Sequence, residues 1–297
     1  CGRRVVCAVA YLYPISHASN THLYIMSKVL IATEKPFAAP AVAGIKQILT
    51  EAGFEVVLLE KYTTKAELLA AVADVDAIII RSDIIDAEVF DAAKQLKIVV
   101  RAGAGYDNVD LESATAHGVC VMNTPGQNAN AVAELVFAML LFGVRNRFNG
   151  TSGTELKDKK LGLLAYGNTG RNVARIAKGF GMDIYAYDPF TPAEVIEKEG
   201  VHAVASQKEL FSTCDIVSLH IPATPETKGS IGRELVSLMP KKGILVNTAR
   251  KEVINEPELI KLMGEREDLK FITDIKPDAD AEFAKFEGRY FSTPKKM

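Results

Sequence analysis

Three features that commonly assign a sequence to a class of protein are absent here. The four cysteines, Cys1, Cys7, Cys120 and Cys214, include no CxxC pair, which argues against a zinc site and a disulfide framework and is typical of a reducing compartment. The 37 acidic and 35 basic residues nearly balance, so no surface for nucleic acid is expected. No uninterrupted apolar run approaches the ~18 to 20 residues that span a bilayer. We therefore expect a soluble, cytoplasmic protein without metal, nucleic-acid or membrane partners.

The beginning of the chain differs in composition from the rest. Residues 1–25 combine two arginines, a short apolar run from Val5 to Tyr13 and a polar segment. A secretory signal is one interpretation. The apolar run contains tyrosines, however, and no small-x-small cleavage site follows it. We therefore favour a start at Met26, with residues 1–25 as a leader or upstream read-through outside the fold.

Short apolar strands alternate with helices over the rest of the chain. The full length of 297 residues suffices for two domains. The first half reads KVLIAT, FEVVLLE, DAIIIRS, KIVVRAG and VCVMN as strands, with helical segments such as PAVAGIKQILTEAG between them. A long helix, AVAELVFAMLLFGVRN, follows Pro125-Gly126, and the alternation restarts at KLGLLAYG. Continuous apolar strands separated by helices are typical of parallel sheets covered on both faces. The sequence therefore predicts an α/β protein of two doubly wound, Rossmann-like parallel sheets joined by a long helix.

A glycine turn opens the second half, in LGLLAYGNTGRNVARIAKGFGMDIYAYDP. Gly167 would let the backbone approach a pyrophosphate, Gly170 would let the helix pack closely on the strand, and the helix start would supply unpaired amides. Ala165 occupies the first glycine position of the motif, which suggests a modified turn. Asp188, at the end of the next strand, could accept hydrogen bonds from ribose hydroxyls and repel a 2′-phosphate. The pattern predicts NAD rather than NADP; the alternative is an ordinary strand-turn-helix connection with a solvated aspartate.

Six sequence blocks follow one another from Lys28 onwards: RAGAGYDNVDL, VMNTPGQNANAVAELVFAMLL, LGLLAYGNTGRNVARIA, YDP, DIVSLHIPATPETKGSI and KKGILVNTARKEVIN. In this order they resemble the D-isomer-specific 2-hydroxyacid dehydrogenases. The resemblance implies a substrate-binding domain over residues 26–124 and 286–297, an NAD-binding domain over residues 125–285, and an active site in the cleft between them. In that family the AVAELVFAMLL helix is part of a dimer interface, so a homodimer is implied.

The resemblance also implies roles for individual residues. Arg250, in NTAR, matches the family's catalytic arginine, and a guanidinium can hold a carboxylate while it polarises the adjacent C2 oxygen. The implied substrate contacts are Arg81 for a distal phosphate, Gly103 and Ala104 for the carboxylate through their amides, and Asn128 as a polar contact.

For the cofactor, the resemblance implies a set of residues that follow successive strands. His220 matches a family histidine that supports the cofactor loop rather than donating the proton, and Asp274 matches an acidic partner of the nicotinamide carboxamide. The full set is Tyr166, Gly167, Asn168, Thr169, Gly170, Asp188, His220, Pro222, Thr227, Thr248, Ala249 and Asp274.

Most members of this family carry a catalytic glutamate and histidine, and this sequence has neither. Ala279 stands at the usual spacing of the glutamate, and Lys295 follows Thr-Pro at the histidine position. The glutamate orients and charges an imidazole, whereas an ammonium has no tautomers and can act alone. The joint loss favours Lys295 as the acid-base residue, with Lys296, a water molecule or no catalysis as the alternatives.

Two classes of function remain open at this point. The first is NAD-dependent oxidation of a small phosphorylated 2-hydroxy acid, with an unphosphorylated acid such as glycerate as a variant. The second is a dinucleotide-binding interaction protein, comparable to the corepressor relatives of the family, which closes around NADH without turnover. The missing glutamate and histidine favour the second class, whereas Arg250 and Lys295 favour the first.

Overall fold

The structure, a computed structural model, describes residues 27–292. Within them the chain divides into two compact units, one ending at Gln127 and the other beginning at Asn128. No helix among these residues is long and apolar enough to cross a membrane. The predicted leader and the predicted acid-base residue Lys295 lie outside the described residues.

The first unit contains a five-stranded parallel sheet in the order β2-β1-β3-β4-β5. Successive residues of its central strands face opposite ways: Leu30 belongs to one apolar core and Ile31 to the other, on the opposite face of the sheet. Burial on both faces explains why the strands are continuous apolar runs. Its strands are β1 Lys28–Thr33, β2 Glu55–Glu60, β3 Ala77–Ile80, β4 Ile98–Arg101 and β5 Cys120–Asn123, and its helices are α1 Ala39–Glu51, α2 Lys65–Val72, α3 Ala87–Ala92 and α4 Leu111–Ala116.

The second unit contains a seven-stranded parallel sheet in the order β12-β11-β10-β9-β6-β7-β8. Here too neighbouring residues of one strand, such as Ile216 and Val217, pack into separate cores on the two faces. Its strands are β6 Lys160–Leu164, β7 Asp183–Tyr187, β8 His202–Ala203, β9 Ile216–Leu219, β10 Ile244–Asn247, β11 Lys270–Thr273 and β12 Tyr290–Ser292. Its helices are α5 Ala129–Val144, α6 Asn168–Gly179, α7 Ala193–Lys198, α8 Gln207–Thr213, α9 Arg233–Val236, α10 Glu256–Glu265 and α11 Asp280–Phe283, with 3₁₀ turns at Asn146–Phe148 and Lys251–Val253.

These two all-parallel sheets confirm the predicted fold class. The long helix α5 belongs to the second unit, where Gly143 packs so closely on β11 that an added Cβ would lie 2.8 Å from the Ile272 side chain. The structure differs from the predicted domain bounds at the other end of the chain. Tyr290–Ser292 pair in register with Phe271–Thr273, so this part of the segment assigned to the substrate-binding domain forms the edge strand of the second sheet.

Candidate functional site

The residues predicted to bind a cofactor follow five strands of the second sheet that are neighbours in space. Because all strands are parallel, their carboxyl ends meet at one edge, which is where ligands bind in open α/β sheets. The residues at this edge are Tyr166 and Gly167 after β6, Asp188 after β7, His220 after β9, Thr248, Ala249 and Arg250 after β10, and Asp274 after β11.

The start of α6 is shaped to receive an anion. Helices α4, α8 and α10 each begin with a side-chain cap, from Asp110, Ser206 and Asn255, whereas the residue before α6 is Gly167, which has no side chain to act as a cap. Its first amides, including those of Asn168 and Thr169, are therefore not satisfied by a capping side chain. No atom lies within 4 Å of the place where a Cβ on Gly167 would be, so the space in front of these amides is open. An uncapped helix start with open space is the geometry that binds phosphate.

The turn before α6 keeps a glycine-like backbone although its first position is alanine. Ala165 has φ of 80°, in the left-handed region that glycine adopts readily and alanine adopts at a cost of about 1–2 kcal/mol. A Cβ on Gly170 would lie 2.4 Å from the Ala165 carbonyl oxygen, so the helix can approach the turn only because Gly170 has no side chain. The turn is thus modified in sequence and retained in conformation.

Asp188 fixes the same turn from the neighbouring strand. Its Oδ2 accepts a hydrogen bond from the Tyr166 amide at 2.8 Å, and its Oδ1 accepts one from the Phe190 amide at 2.8 Å. Each carboxylate oxygen can accept more than one bond. Asp188 can therefore hold the turn and still accept a bond from a ribose hydroxyl.

A side-chain network that no sequence motif indicated anchors the turn from below. The Tyr166 ring is 1% exposed, and its hydroxyl donates to Glu199 Oε2 at 3.0 Å. Arg171 pairs with the other oxygen of Glu199, donates through Nε to the Tyr166 carbonyl at 3.3 Å, and lies over the Tyr166 ring. Burial and the Glu199 carboxylate raise the pKa of Tyr166 to about 12. Tyr166 is therefore a neutral donor that pins the loop.

His220 is held uncharged at this sheet edge. Burial lowers the pKa of its imidazole from 6.5 to about 4. Its Nε2 is buried without a hydrogen-bond partner among residues 27–292, and the same is true of Thr248 Oγ1. Buried polar atoms without partners are rare in proteins, so two of them at one sheet edge fit a site that a ligand completes. A neutral imidazole agrees with a supporting role and not with proton donation at neutral pH.

Other predicted cofactor residues are used within their own loop. Thr227 Oγ1 donates to the Pro222 carbonyl at 2.5 Å and accepts from the Thr224 amide at 2.8 Å. These bonds close the segment that follows His220, so Pro222 and Thr227 contribute to the shape of the loop.

Arg250 is fixed by the buried end of β10. Asn247, which is 1% exposed, donates from Nδ2 to the Arg250 carbonyl at 2.9 Å and accepts from the Ala249 amide at 3.0 Å. The Arg250 guanidinium donates to the Ala249 carbonyl at 2.9 Å. The Asp274 amide reaches the Asn247 carbonyl at 3.4 Å. A buried amide side chain thus sets the backbone of the predicted catalytic arginine.

The predicted substrate residues of the first unit lie at the carboxyl edge of its own sheet. Arg81 follows β3, is exposed, and its Nη1 lies 3.4 Å from the Pro36 carbonyl. Arg101, which sequence reasoning did not select, pairs with Ile80 in the neighbouring strand, so the two arginines end adjacent strands. Its position at the carboxyl end of a strand, next to the glycines of RAGAG, could have indicated Arg101 as a substrate-binding residue.

Of the two RAGAG amides that the sequence predicts to bind the substrate carboxylate, one already forms a hydrogen bond within the turn. Gly103 donates to the Arg101 carbonyl at 2.9 Å, whereas the Ala104 amide donates to no group within the described chain. The Arg101 guanidinium lies 1.4 Å from the place where a Cβ on Gly103 would be, so a side chain there would displace the guanidinium. Asn128 lies in the second unit, exposed, at the residue that precedes α5.

Residues 141–287 match the sequence model of the D-isomer specific 2-hydroxyacid dehydrogenase, NAD binding domain. The hydroxypyruvate reductase of Thermotoga maritima is 37% identical over 219 residues, which covers 69% of this chain and 70% of that protein. The chain belongs to the D-isomer-specific 2-hydroxyacid dehydrogenases.

Two further members of this dehydrogenase family are similar to the chain. The NAD⁺-bound crystal structure of 3-phosphoglycerate dehydrogenase from Entamoeba histolytica superposes with a TM-score of 0.85 at 49% identity and covers 91% of this chain and 87% of that one. The D-3-phosphoglycerate dehydrogenase of Methanocaldococcus jannaschii is 39% identical over 216 residues, or 68% of this chain. The match spans only 41% of the length of that relative.

The residues at the second sheet edge fit the NAD of this dehydrogenase family. Gly170 lets α6 approach the turn, the uncapped start of α6 suits a pyrophosphate, and Asp188 suits a ribose. Ala279, which the sequence predicts at the family's glutamate position, donates its amide to Glu256 at 2.7 Å, and the Asp278 amide donates to the same carboxylate at 3.0 Å. The Glu256 carboxylate therefore holds this loop through backbone amides. The Ala279 side chain has no ionisable group.

Proposed function

We propose that this chain is an NAD-dependent dehydrogenase that oxidises D-3-phosphoglycerate to 3-phosphohydroxypyruvate, the reaction that enters serine synthesis. The observation that carries the proposal is the shared edge of the second sheet. A nucleotide cradle follows β6, and Arg250 follows β10 two strands away. A dinucleotide and a carboxylate-binding guanidinium at one edge suit hydride transfer from a 2-hydroxy acid.

The chemistry divides between the cofactor and the residues of this chain. When bound, NAD accepts the hydride from C2 of the substrate. Arg250 donates to the substrate carboxylate and to the C2 oxygen, and so orients the C2–H bond and stabilises the polarised C–O bond. Asn247 keeps Arg250 in this place through its bond to the Arg250 carbonyl. The amide of Ala104 is assigned to the carboxylate.

The hydroxyl proton of the substrate needs an acceptor, and we assign Lys295 to this role. His220 is a weak candidate because burial lowers the pKa of its imidazole, and a base with a pKa of about 4 takes up little proton at neutral pH. Lys295 must be neutral to accept the proton, and an unperturbed lysine has a pKa of about 10.4. The proposal therefore includes a lowered pKa for Lys295, to which burial of the ammonium and the positive charge of Arg250 would contribute.

The substrate is assigned from the two arginines at the edge of the first sheet. Arg81 and Arg101 end adjacent strands, and two guanidinium groups match the charge and the several oxygens of a phosphate. Relatives named D-3-phosphoglycerate dehydrogenase agree with this choice. The similarity to a hydroxypyruvate reductase favours a second candidate, the unphosphorylated pair glycerate and hydroxypyruvate.

The test is an assay of NADH formation with D-3-phosphoglycerate and with glycerate, together with a fluorescence titration of NADH binding. Turnover that is faster at low concentration of the phosphorylated acid supports the proposal. Binding of NADH without turnover of any 2-hydroxy acid contradicts it and favours the interaction protein that closes around NADH.

We further propose that the protein acts in the cytoplasm as a homodimer. Two large apolar side chains, Phe142 near the end of α5 and Phe148 in the 3₁₀ turn after it, are 39% and 67% exposed and contact each other edge to face. Apolar side chains of this size are commonly covered in an interface. Sedimentation of the full chain tests the dimer, and replacing both residues with serine is expected to shift it towards the monomer.

A further inference from the structure

Asp83 is the charged residue among the buried polar side chains of residues 27–292. Only 3% of its surface is exposed, and the others in this group, such as Thr33 and Asn247, are neutral. Burying a carboxylate is costly unless hydrogen bonds compensate the lost water. Such a residue therefore marks a place where the fold depends on a defined set of donors.

Three donors from three segments surround the Asp83 carboxylate. Oδ1 accepts from the Glu34 amide at 2.7 Å and from the Tyr62 hydroxyl at 2.7 Å, and Oδ2 accepts from the Arg81 amide at 3.1 Å. The Asp83 carbonyl also accepts from Asn108 Nδ2 at 2.7 Å. Burial and the adjacent carboxylate raise the pKa of Tyr62, so its hydroxyl stays a donor.

These segments meet at the place in the first unit where a ligand is expected. Glu34 follows β1, Tyr62 follows β2 and Arg81 follows β3, all at the carboxyl edge of the sheet. The strand order β2-β1-β3-β4-β5 reverses its direction between β1 and β3, and open α/β sheets bind ligands in the crevice at that point.

The same carboxylate binds the backbone of Arg81 and of the segment that Arg81 contacts. It binds the Arg81 amide directly. It also binds the Glu34 amide, two residues before Pro36, whose carbonyl is the acceptor 3.4 Å from Arg81 Nη1. Within the described chain Asp83 forms no ion pair, so the Arg81 guanidinium keeps its charge for a ligand. An exposed arginine has many rotamers, and ordering it before a ligand arrives lowers the entropy lost on binding.

We propose that Asp83 is a positioning residue that holds Arg81 ready for the substrate phosphate and thereby sets the preference for a phosphorylated over an unphosphorylated 2-hydroxy acid. This inference rests on the proposed function, in which Arg81 contacts that phosphate. Asp83 itself touches neither substrate nor cofactor in this scheme.

The test compares Asp83→Asn with the wild-type chain on D-3-phosphoglycerate and glycerate. Asparagine keeps the size of the side chain, but its NH₂ group must face either the Arg81 amide or the donors from Glu34 and Tyr62, so at least one bond is lost. The KM for the phosphorylated acid is expected to rise by about tenfold, the scale of one charge-assisted hydrogen bond, while kcat and the KM for glycerate change less than about twofold. If Asp83→Asn does not fold, Tyr62→Phe, which removes one donor and keeps the carboxylate, is expected to shift the same ratio by about threefold.

A double-substitution cycle separates positioning from general stability. In an Arg81→Gln background, Asp83→Asn is expected to leave the ratio of the two KM values unchanged, because the group through which it acts is gone. The matched control is Asp76→Asn at the amino end of β3, where Asp76 accepts from the Lys28 amide at 2.9 Å and from Lys97 Nζ at 2.8 Å. This control is expected to leave the ratio at the wild-type value.

Failure of the inference and failure of the proposed function give different results. If Arg81→Gln lowers the preference for phosphate but Asp83→Asn weakens both substrates equally, the proposed function stands and the role of Asp83 is refuted. If the wild-type chain shows no preference and Arg81→Gln changes nothing, the assignment of Arg81 to a phosphate is wrong, and the inference about Asp83 is overturned with it.

Discussion

Replacing Gly170 with alanine is expected to weaken NADH binding while the second unit stays folded. Gly170 is the third residue of α6 and lies against the turn that follows β6. An added Cβ would sit 2.4 Å from the Ala165 carbonyl oxygen, which is backbone and cannot rotate away. The turn or the helix must therefore move.

The size of the effect follows from this contact. Lengthening it from 2.4 Å to 3.0 Å, below which a Cβ rarely approaches another atom, requires a shift of about 0.6 Å. Overpacking of this kind costs about 1–3 kcal/mol, part of which is offset because alanine is favoured over glycine in a helix by about 1 kcal/mol. A hydrogen bond to a charged group contributes about 1.5–3 kcal/mol, so misplacing one amide at the pyrophosphate is expected to weaken NADH binding about 10- to 100-fold.

The assay is a fluorescence titration of NADH, with chemical unfolding measured on the same samples. The same helix provides the matched control, because no atom lies within 4 Å of the place where a Cβ on Gly179 would be. Gly179→Ala is therefore expected to leave NADH binding unchanged and to preserve or slightly raise stability. An NADH affinity of Gly170→Ala equal to that of the wild-type chain would refute the argument that Gly170 sets the position of the turn. So would a loss of affinity that is matched by Gly179→Ala.

Four further outcomes are expected. Ala165→Gly should raise the free energy of unfolding by roughly 0.5–1 kcal/mol, because relief of the left-handed strain exceeds the entropy that glycine adds to the unfolded chain; a lower denaturation midpoint would contradict this. Tyr166→Phe should cost about 1 kcal/mol in the same measurement through the lost bond to Glu199, and an unchanged midpoint would show that this bond contributes nothing. Since the folded pKa of His220 lies below its unfolded value of 6.5, the unfolded state takes up the proton first, and stability should fall as the pH drops from about 6.5 towards 4; the slope should be smaller in His220→Gln. Lys295→Met should abolish turnover and leave NADH binding nearly intact, and turnover close to wild type would remove Lys295 from the mechanism.

Much of the fold could be predicted, because each strand can be recognised from the pattern of its own residues. A run such as AIII is buried along its whole length, and it has this composition because both faces of the sheet are covered. The pairing of Tyr290–Ser292 could not be predicted in this way. Three residues carry too little pattern to specify a partner, and the register with Phe271–Thr273 is set by contacts distant in sequence.

The candidate site shows the same division between local and distant information. Gly167 could be located from the glycine turn after a predicted strand, and Arg250 and Arg81 from the sequence blocks that resemble the family. All three lie shortly after an apolar strand, where the carboxyl ends of parallel strands converge. The role of Glu199 could not be predicted, because it depends on a hydrogen bond with Tyr166, 33 positions earlier in the chain. A half-buried acceptor such as Glu199 has no signature of its own in the sequence, since its partners are set by the folded chain.

Both sheets use one aspartate in the same way at their carboxyl edge. Asp188 follows β7 and binds the amide of Tyr166 after β6, and Asp83 follows β3 and binds the amide of Glu34 after β1. Each also accepts a nearby amide of its own segment, from Phe190 and Arg81 respectively. A carboxylate in this position joins two neighbouring loops before any ligand arrives. The predicted ribose contact of Asp188 is therefore a second use of a group that the turn already requires. Its removal is expected to disturb the amides predicted to bind the pyrophosphate together with the predicted preference for NAD over NADP.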